Sequence, residues 1–108
     1  MDATDRLQAL LSMLESDPED AFCLYGIAQE YATRGEHAQA IEFYDRAIAS
    51  DPTDAYAFFH KGRSLQALQR NKDATETLTA GLQVARTQGD LHAESELQGY
   101  LQELAEIV

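Results

Sequence analysis

Hydrophobic residues recur three and four positions apart along most of the chain, which is the spacing of one face of an α-helix. The stripe formed by Leu24, Ile27 and Tyr31 is one example, and it stops at Gly35. Similar stripes follow that break and continue to the end of the sequence. With the glycine and proline breaks between them, these stripes predict six helices over the ranges 3–16, 20–34, 37–50, 54–69, 71–87 and 90–106.

A seven-residue segment occurs twice, with an offset of 34 residues. Residues 16–22 read SDPEDAF and residues 50–56 read SDPTDAY, so five of the seven positions are identical. Each Asp-Pro pair is expected to end a helix, because proline cannot continue one and disfavours helical geometry in the residue before it. Asp20 and Asp54 then lie where the next helix needs an N-cap. The repeat therefore predicts two units, each made of two antiparallel helices joined by a short turn.

The residues inside these units resemble the tetratricopeptide repeat, whose signature is W-x2-L-G-x2-Y, then A-x3-F, then P. The first unit matches the signature in register with Leu24-x2-Ile27-Ala28-x2-Tyr31, Ala40-x3-Tyr44 and Pro52. The second unit matches it with Phe58-x2-Lys61-Gly62-x2-Leu65 and Ala74-x3-Leu78. It departs from the signature at Lys61, where leucine is preferred, and at Arg86, where proline is expected. We expect the small residues of the signature to let paired helices approach closely.

The resemblance implies an all-α fold, a right-handed helical-repeat solenoid of about six antiparallel helices in one domain, residues 1–108. The two full units are predicted at 21–54 and 55–88. Residues 1–17 and 89–108 are predicted to form capping helices, because each carries a hydrophobic stripe at helical spacing. We interpret the first of them as the second helix of a unit that lacks its first helix.

The chain is strongly acidic, with 19 Asp and Glu against 8 Lys and Arg and a formal net charge of -11. A charge of this sign repels phosphate backbones and anionic lipids, so we expect neither a nucleic-acid partner nor a membrane partner. The N-terminal residues carry acids and no cleavage signal, which predicts a cytoplasmic protein. Acidic composition is typical of halophilic proteins and equally of ordinary acidic bacterial proteins. The segment 55–70 is the exception, because it carries Lys61, Arg63 and Arg70 and no acid.

The motifs of enzymes and of cofactor sites do not occur in the sequence. There is no G-x-S-x-G, no phosphate-binding loop, no G-x-G-x-x-G and no C-x-x-C. His92 and Glu96 have the spacing of a metal-binding pair on a helix, but we interpret them as part of a solvated face. Cys23 is the only cysteine, and we expect it to pack in the core. The sequence therefore predicts a protein that is not an enzyme and has no catalytic residue, cofactor or metal site.

The family resemblance implies that the first helix of each unit lines a concave groove. Seven residues are predicted to line it: Phe22, Tyr25, Gln29, Tyr56, Phe59, His60 and Arg63. Four of these seven are Phe or Tyr. Arg63 can hold a carboxylate through two parallel hydrogen bonds. We therefore predict a protein–protein interaction module, or adaptor, that binds a peptide or partner segment in this groove. An acidic side chain or a C-terminal carboxylate of the partner would meet Arg63.

Other interpretations stay open at this point. The aromatic residues could pack only on neighbouring helices, and the C-terminal helix could fill part of the groove. The chain could instead be a self-association module, a monomer or a weak homodimer, or a small accessory subunit of a larger complex.

Some members of the family grip acidic chaperone tails through a clamp of Lys, Asn and Arg. The corresponding positions here hold other residues instead, which are Tyr25, Gln29, His60, Asp90 and Glu94.

Overall fold

The computed structural model describes residues 3–107, and this range contains six α-helices and no strand. The helices are α1 (Ala3–Ser16), α2 (Ala21–Thr33), α3 (His37–Ser50), α4 (Ala55–Ala67), α5 (Asn71–Gln88) and α6 (Leu91–Ile107). Each begins within one residue, and ends within two residues, of the range predicted from the hydrophobic stripes. Each helix packs against the next along the chain, and α4 also contacts α2 and α6. The fold is an all-α helical-repeat solenoid, as predicted.

The first helices of the units begin with the same aspartate cap. Asp20 Oδ1 accepts hydrogen bonds from the backbone N–H of Phe22 and Cys23. Asp54 Oδ1 accepts one from the N–H of Tyr56 at 3.0 Å. These bonds satisfy donors that the first turn of a helix leaves without a partner. Both predicted caps are confirmed, and the repeated segment therefore sets where α2 and α4 begin.

The turns inside the two units repeat one another bond for bond. Glu36 N donates to Tyr31 O at 2.9 Å in the first unit, and Arg70 N donates to Leu65 O at 2.9 Å in the second. Each turn contains one residue in the left-handed conformation, which is Gly35 (φ 78°) in the first unit. The corresponding residue, 34 positions later, is Gln69 (φ 62°). The second turn thus keeps the geometry of the first without its glycine.

Small residues lie where paired helices approach most closely. A Cβ added to Gly62 of α4 would lie 2.6 Å from Cγ of Leu78 in α5. A Cβ added to Gly81 would lie 2.6 Å from Cβ of Phe58. Ala28 is fully buried. The expected role of small residues in the signature is confirmed at these positions.

The two departures from the signature have visible consequences. Lys61 is half-buried on α4 and its Nζ lies 2.6 Å from Asp45 Oδ1 on α3, so it forms an ion pair between the two units. Arg86 replaces the proline that would end α5, and α5 runs for 18 residues where α3 has 14. The longer helix ends at Gly89, which adopts a left-handed conformation (φ 68°).

Helix α1 is attached to α2 by a small hydrophobic cluster. Leu7, Leu10 and Leu14 of α1 are buried against α2. Cys23 of α2 is buried in the same cluster, and its Sγ donates to the backbone carbonyl of Leu10 at 3.0 Å. Burial, together with the nearby carboxylates, raises the pKa of the Cys23 thiol. The thiol therefore packs in its protonated form, as expected from the sequence.

Candidate functional site: the surface of α2, α4 and α6

The surface formed by α2, α4 and α6, here called the groove, contains a large open cleft of about 680 Å³. Its walls come from four helices, since α3 contributes His37 and Tyr44 and α6 contributes Tyr100. The complete lining is Gln29, Ala32, Thr33, His37, Tyr44, His60, Arg63, Ser64, Gln66, Ala67 and Tyr100. Three of the seven predicted groove residues, Gln29, His60 and Arg63, therefore meet in this large cleft.

A second cavity, of about 410 Å³, lies at the N-terminal ends of α2 and α4. We call it the aromatic pocket, and its lining is Ala21, Phe22, Tyr25, Ala47, Asp51, Asp54, Tyr56 and Ala57. Three more of the predicted residues, Phe22, Tyr25 and Tyr56, are thus brought together here. The structure divides six of the seven predicted residues between two cavities.

Phe59 lines neither cavity and connects the two groups of residues. The centroid of its ring lies 6.5 Å from that of Tyr56 and 5.2 Å from that of His60. On the α6 side, its ring is 5.6 Å from that of Tyr100. A continuous aromatic surface therefore runs along α4 from the aromatic pocket to the large cleft.

His60 lies at the centre of this aromatic surface. Its ring is 5.9 Å from Tyr25, 6.4 Å from Tyr44 and 5.2 Å from Phe59, measured between centroids. Burial, and to a lesser extent the charge of Arg63, lower the pKa of His60 below its usual value. The imidazole is consequently neutral at neutral pH, when it can donate one hydrogen bond and accept another.

Tyr44 fixes the side chain of Gln29 at the edge of the large cleft. The Tyr44 hydroxyl donates a hydrogen bond to Gln29 Oε1. Burial raises the pKa of Tyr44, and it also raises the pKa of Tyr25 to about 12. Both phenols therefore stay protonated and are available only as neutral hydrogen-bonding groups.

Arg63 is the one base of the segment 55–70 that has no carboxylate partner among residues 3–107. Lys61 pairs with Asp45, and Arg70 pairs with Asp73 at 2.7 Å. The guanidinium carbon of Arg63 instead lies 5.9 Å from the centroid of the Phe59 ring, and the side chain is exposed at the cleft. Arg63 also acts against the rise in the pKa of Tyr100 that burial causes. The cleft thus carries a positive charge that the described part of the chain leaves without an ion pair.

The predicted set did not include the two tyrosines of the large cleft, Tyr44 and Tyr100. Tyr44 occupies a signature position and is fully buried, so the pattern indicated only a core residue. Tyr100 lies on the last helix, and its contact with Phe59 and its place in the lining show that it forms a wall of the cleft. Tyr100 of α6 thus forms one wall of the large cleft, and the cleft beside it is open.

Metal binding and membrane insertion are two further properties on which the described residues bear. Among residues 3–107, no group of three or more His, Cys, Asp and Glu side chains could hold a metal ion. His92 Nε2 lies 2.8 Å from Glu96 Oε1, as an exposed pair one helical turn apart. None of the helices in this range combines the length and the apolar composition needed to cross a membrane.

The fold and the groove define a helical-repeat protein of the kind that binds other proteins. The family model of the tetratricopeptide repeat matches residues 21–54. A tetratricopeptide repeat domain protein from Salinibacter ruber, solved by NMR, is 30% identical, with 85% of this chain and 93% of that chain covered and a TM-score of 0.78. The chain therefore belongs to the tetratricopeptide repeat family, whose members serve as protein–protein interaction modules.

Two further proteins show how widely the similarity extends. A tetratricopeptide repeat-containing protein of Pseudomonas aeruginosa is 28% identical over 98 residues, which cover 91% of this chain and 93% of the relative. The TPR2B domain of yeast Sti1, solved as a complex with pHsp70, is 22% identical and has a TM-score of 0.92. That comparison covers 99% of this chain and 86% of the domain, and at this identity it shows the fold alone.

Proposed function

We propose that this protein is an adaptor that binds a peptide or partner segment in the groove, with a carboxylate of the ligand held by Arg63. The observation that carries the proposal is the position of Arg63, whose exposed guanidinium lies at an open cleft and pairs with no carboxylate among residues 3–107. A guanidinium binds a carboxylate through two parallel hydrogen bonds, and this geometry favours an acidic side chain or a chain terminus.

The aromatic surface beside Arg63 supports a peptide ligand. Phe59 and Tyr100 are only partly buried, although they pack against the core. Rigid aromatic side chains next to an arginine are typical of the residues that carry most of the energy in protein interfaces. The complex of the yeast Sti1 domain with pHsp70 is a precedent for a bound partner on this fold. The same binding role is proposed here, without the identity of that partner.

The proposed binding mode differs from the clamp of chaperone-binding relatives. Asp90 Oδ1 accepts a hydrogen bond from the N–H of Ala93 and so caps α6. Glu94 forms an ion pair with Arg86 at 3.7 Å. Because these clamp positions hold acids that already stabilise the repeat, we place the ligand carboxylate at Arg63 alone.

A selection from a library of random peptides tests the proposed function. Peptides selected on the whole protein should share an Asp, a Glu or an essential terminal carboxylate. Arg63→Ala and Phe59→Ala should each weaken the selected peptides at least about tenfold, since truncating an interface anchor typically costs about 2 kcal/mol or more. Circular dichroism should show unchanged helical content in both variants.

Exposed residues outside the groove supply the matched controls. Glu42→Ala on α3 and Thr75→Ala on α5 should leave the affinity unchanged, because both residues are exposed on the second helices of the units. If both groove variants bind like the wild type while these two variants lose binding, the groove is not the site.

Self-association is a second candidate function, and the surface of α6 favours it. Leu91 and Ile107, at the two ends of α6, are 77% and 64% exposed, and a second copy of the chain packed along this helix would cover them. Light scattering over a range of protein concentrations tests this candidate. A mass that stays at that of the monomer would contradict it, whereas a rise that Leu91→Ser abolishes would support it.

A further inference from the structure

The aromatic pocket has a chemistry opposite to that of the Arg63 cleft. Three aromatic side chains form its walls, two carboxylates lie on its lining, and no basic residue lines it. Asp51 and Asp54 are the two acids, and neither forms an ion pair within residues 3–107. The pocket is therefore a negatively charged, aromatic cavity at the end of a groove whose other cavity is positively charged.

Both carboxylates of the pocket are held in place by hydrogen bonds. Asp51 Oδ1 accepts hydrogen bonds from the backbone N–H and the hydroxyl of Thr53, at 3.0 and 2.6 Å, and these bonds lower the pKa of Asp51. Asp54 is held by its cap bond to Tyr56 N. After burial, the charge of Asp54 contributes to the raised pKa of Tyr25, and the charges of Glu96, Asp90 and Asp54 contribute to the raised pKa of Tyr56. The rings that line the pocket thus lie in a negative field.

Phe22 stands out because its side chain is 78% exposed. It belongs to none of the buried hydrophobic clusters, and its ring contacts no other aromatic ring in the described part of the chain. The cap of α2 uses only the backbone N–H of this residue. Packing of the fold does not explain a phenylalanine here, whereas a ligand in the pocket would cover it.

We propose that the aromatic pocket binds a basic side chain, an arginine or a lysine, of the segment that occupies the groove. Its cationic group would lie by the carboxylates of Asp51 and Asp54, and its stem and charge would lie against the faces of Phe22, Tyr25 and Tyr56. Cations are attracted to the faces of aromatic rings, and arginine also stacks on them. The proposal rests on the proposed function for the occupied segment, but the pocket itself can be tested separately.

The positions of the two sites on α4 set the spacing of charges in the ligand. Tyr56 and Arg63 are two helical turns apart, which is roughly 10 Å along the axis. An extended peptide advances about 3.3 Å per residue. The base and the acid of an extended ligand are therefore expected about three positions apart.

A titration with a small cation isolates the pocket from the Arg63 site. The probe is N-acetyl-arginine N-methylamide, which has a guanidinium and no carboxylate, added to the isotope-labelled full chain and followed by NMR. We expect saturable shifts of backbone amides confined to residues 21–25 and 51–57. The citrulline analogue, a neutral isostere of arginine, should bind at least about tenfold more weakly, since it lacks the charge that the carboxylates and ring faces attract.

A charge-matched pair of variants sharpens the test. The double variant Asp51→Asn/Asp54→Asn should abolish the saturable shifts, because it removes both charges while asparagine keeps the acceptor oxygen and the cap. Glu42→Gln/Glu76→Gln removes the same charge from exposed positions on α3 and α5 and should leave the titration unchanged. Phe22→Ala should weaken binding severalfold without affecting the fold, since this side chain is exposed.

Three results would overturn the proposal. If the citrulline analogue binds as tightly as the arginine probe, the pocket recognises only the apolar part of the probe. If the two double variants lose affinity for the arginine probe equally, the probe is attracted by the overall acidic charge of the protein and not by the pocket. The absence of saturable shifts would also refute it. The peptide test of Arg63 is independent of this titration, because the probe has no acid, so either idea can fail while the other stands.

Discussion

Gly62 lies at one of two close approaches between α4 and α5, and it gives a sharp test of their packing. A Cβ at this position would lie 2.6 Å from Cγ of Leu78, whose side chain is fully buried, so Leu78 would have to shift. We expect Gly62→Ala to lower the free energy of unfolding by about 1–3 kcal/mol, the usual cost of overpacking, although alanine is the better helix former. Urea denaturation followed by circular dichroism measures the change.

Gly99 provides the control for this substitution. It lies within α6 with no atom inside 4 Å of the position where a Cβ would be. Gly99→Ala should therefore raise the free energy of unfolding by up to about 1 kcal/mol, through helix propensity alone. A Gly62→Ala variant that gains stability as Gly99→Ala does would show that α4 and α5 are farther apart than in this structure.

The turns between paired helices offer a prediction at the scale of the element. Gln69 adopts a left-handed conformation (φ 62°) where the first unit has Gly35. This conformation costs roughly 1–2 kcal/mol for a residue with a side chain. Glycine avoids that cost in the folded state, but it also makes the unfolded chain more flexible, so only part of the stability is recovered. We expect Gln69→Gly to raise the free energy of unfolding by a few tenths to about 1 kcal/mol, measured by thermal and urea denaturation.

The reverse change at the equivalent position checks the same cause. Gly35→Ala should destabilise the protein by about 1 kcal/mol, because alanine is strained in the left-handed backbone conformation. No atom lies within 4 Å of the Cβ position, so no steric clash adds to this cost. Equal effects of the same sign in both turns would contradict an explanation based on the left-handed residue.

The helices could be predicted closely because the information that sets them is local. The Asp20 and Asp54 caps, the Asp-Pro breaks and the hydrophobic stripes all act within a few residues. Arg86 was visible as a departure from the signature, but the extra turn of α5 depends on Gly89 ending the helix later. Local patterns therefore determine the type and the approximate limits of these elements.

The site was less predictable because its cavities form between helices that are distant in sequence. The register of the first helices identified the residues, but it did not show that they divide into two cavities of opposite charge. Asp51 joins the aromatic pocket from the end of α3, and Tyr100 joins the large cleft from α6. Such contributions depend on the distances between helices, which the signature does not specify.

At the scale of the whole molecule, the acidic surface is expected to make stability depend on salt. The chain has a formal net charge of -11, and each of its ion pairs within residues 3–107 has at least one exposed partner, so solvent weakens these pairs. Repulsion between surface carboxylates falls as salt shortens the screening length to under about 10 Å. Sodium chloride below about 0.5 M, where this screening develops, should therefore raise the melting temperature, measured by circular dichroism.

A variant with fewer charges shows whether repulsion is the cause. Four exposed acids outside the described ion pairs can be changed to glutamine together: Glu42, Glu76, Glu103 and Glu106. This variant should melt higher at low salt and respond less to added salt. A flat or falling melting temperature in the wild type would contradict self-repulsion and would also exclude a halophile-like surface.

The bond between Cys23 Sγ and the carbonyl of Leu10 makes this thiol a built-in probe of the contact between α1 and α2. Cys23 is the only cysteine of the chain, is 1% exposed and is bonded to α1, so we expect a labelling reagent to reach it when α1 moves away. Opening of one element needs less free energy than unfolding of the whole domain. The labelling rate of the unmodified protein is therefore expected to report how often α1 detaches from α2 while the other helices stay folded.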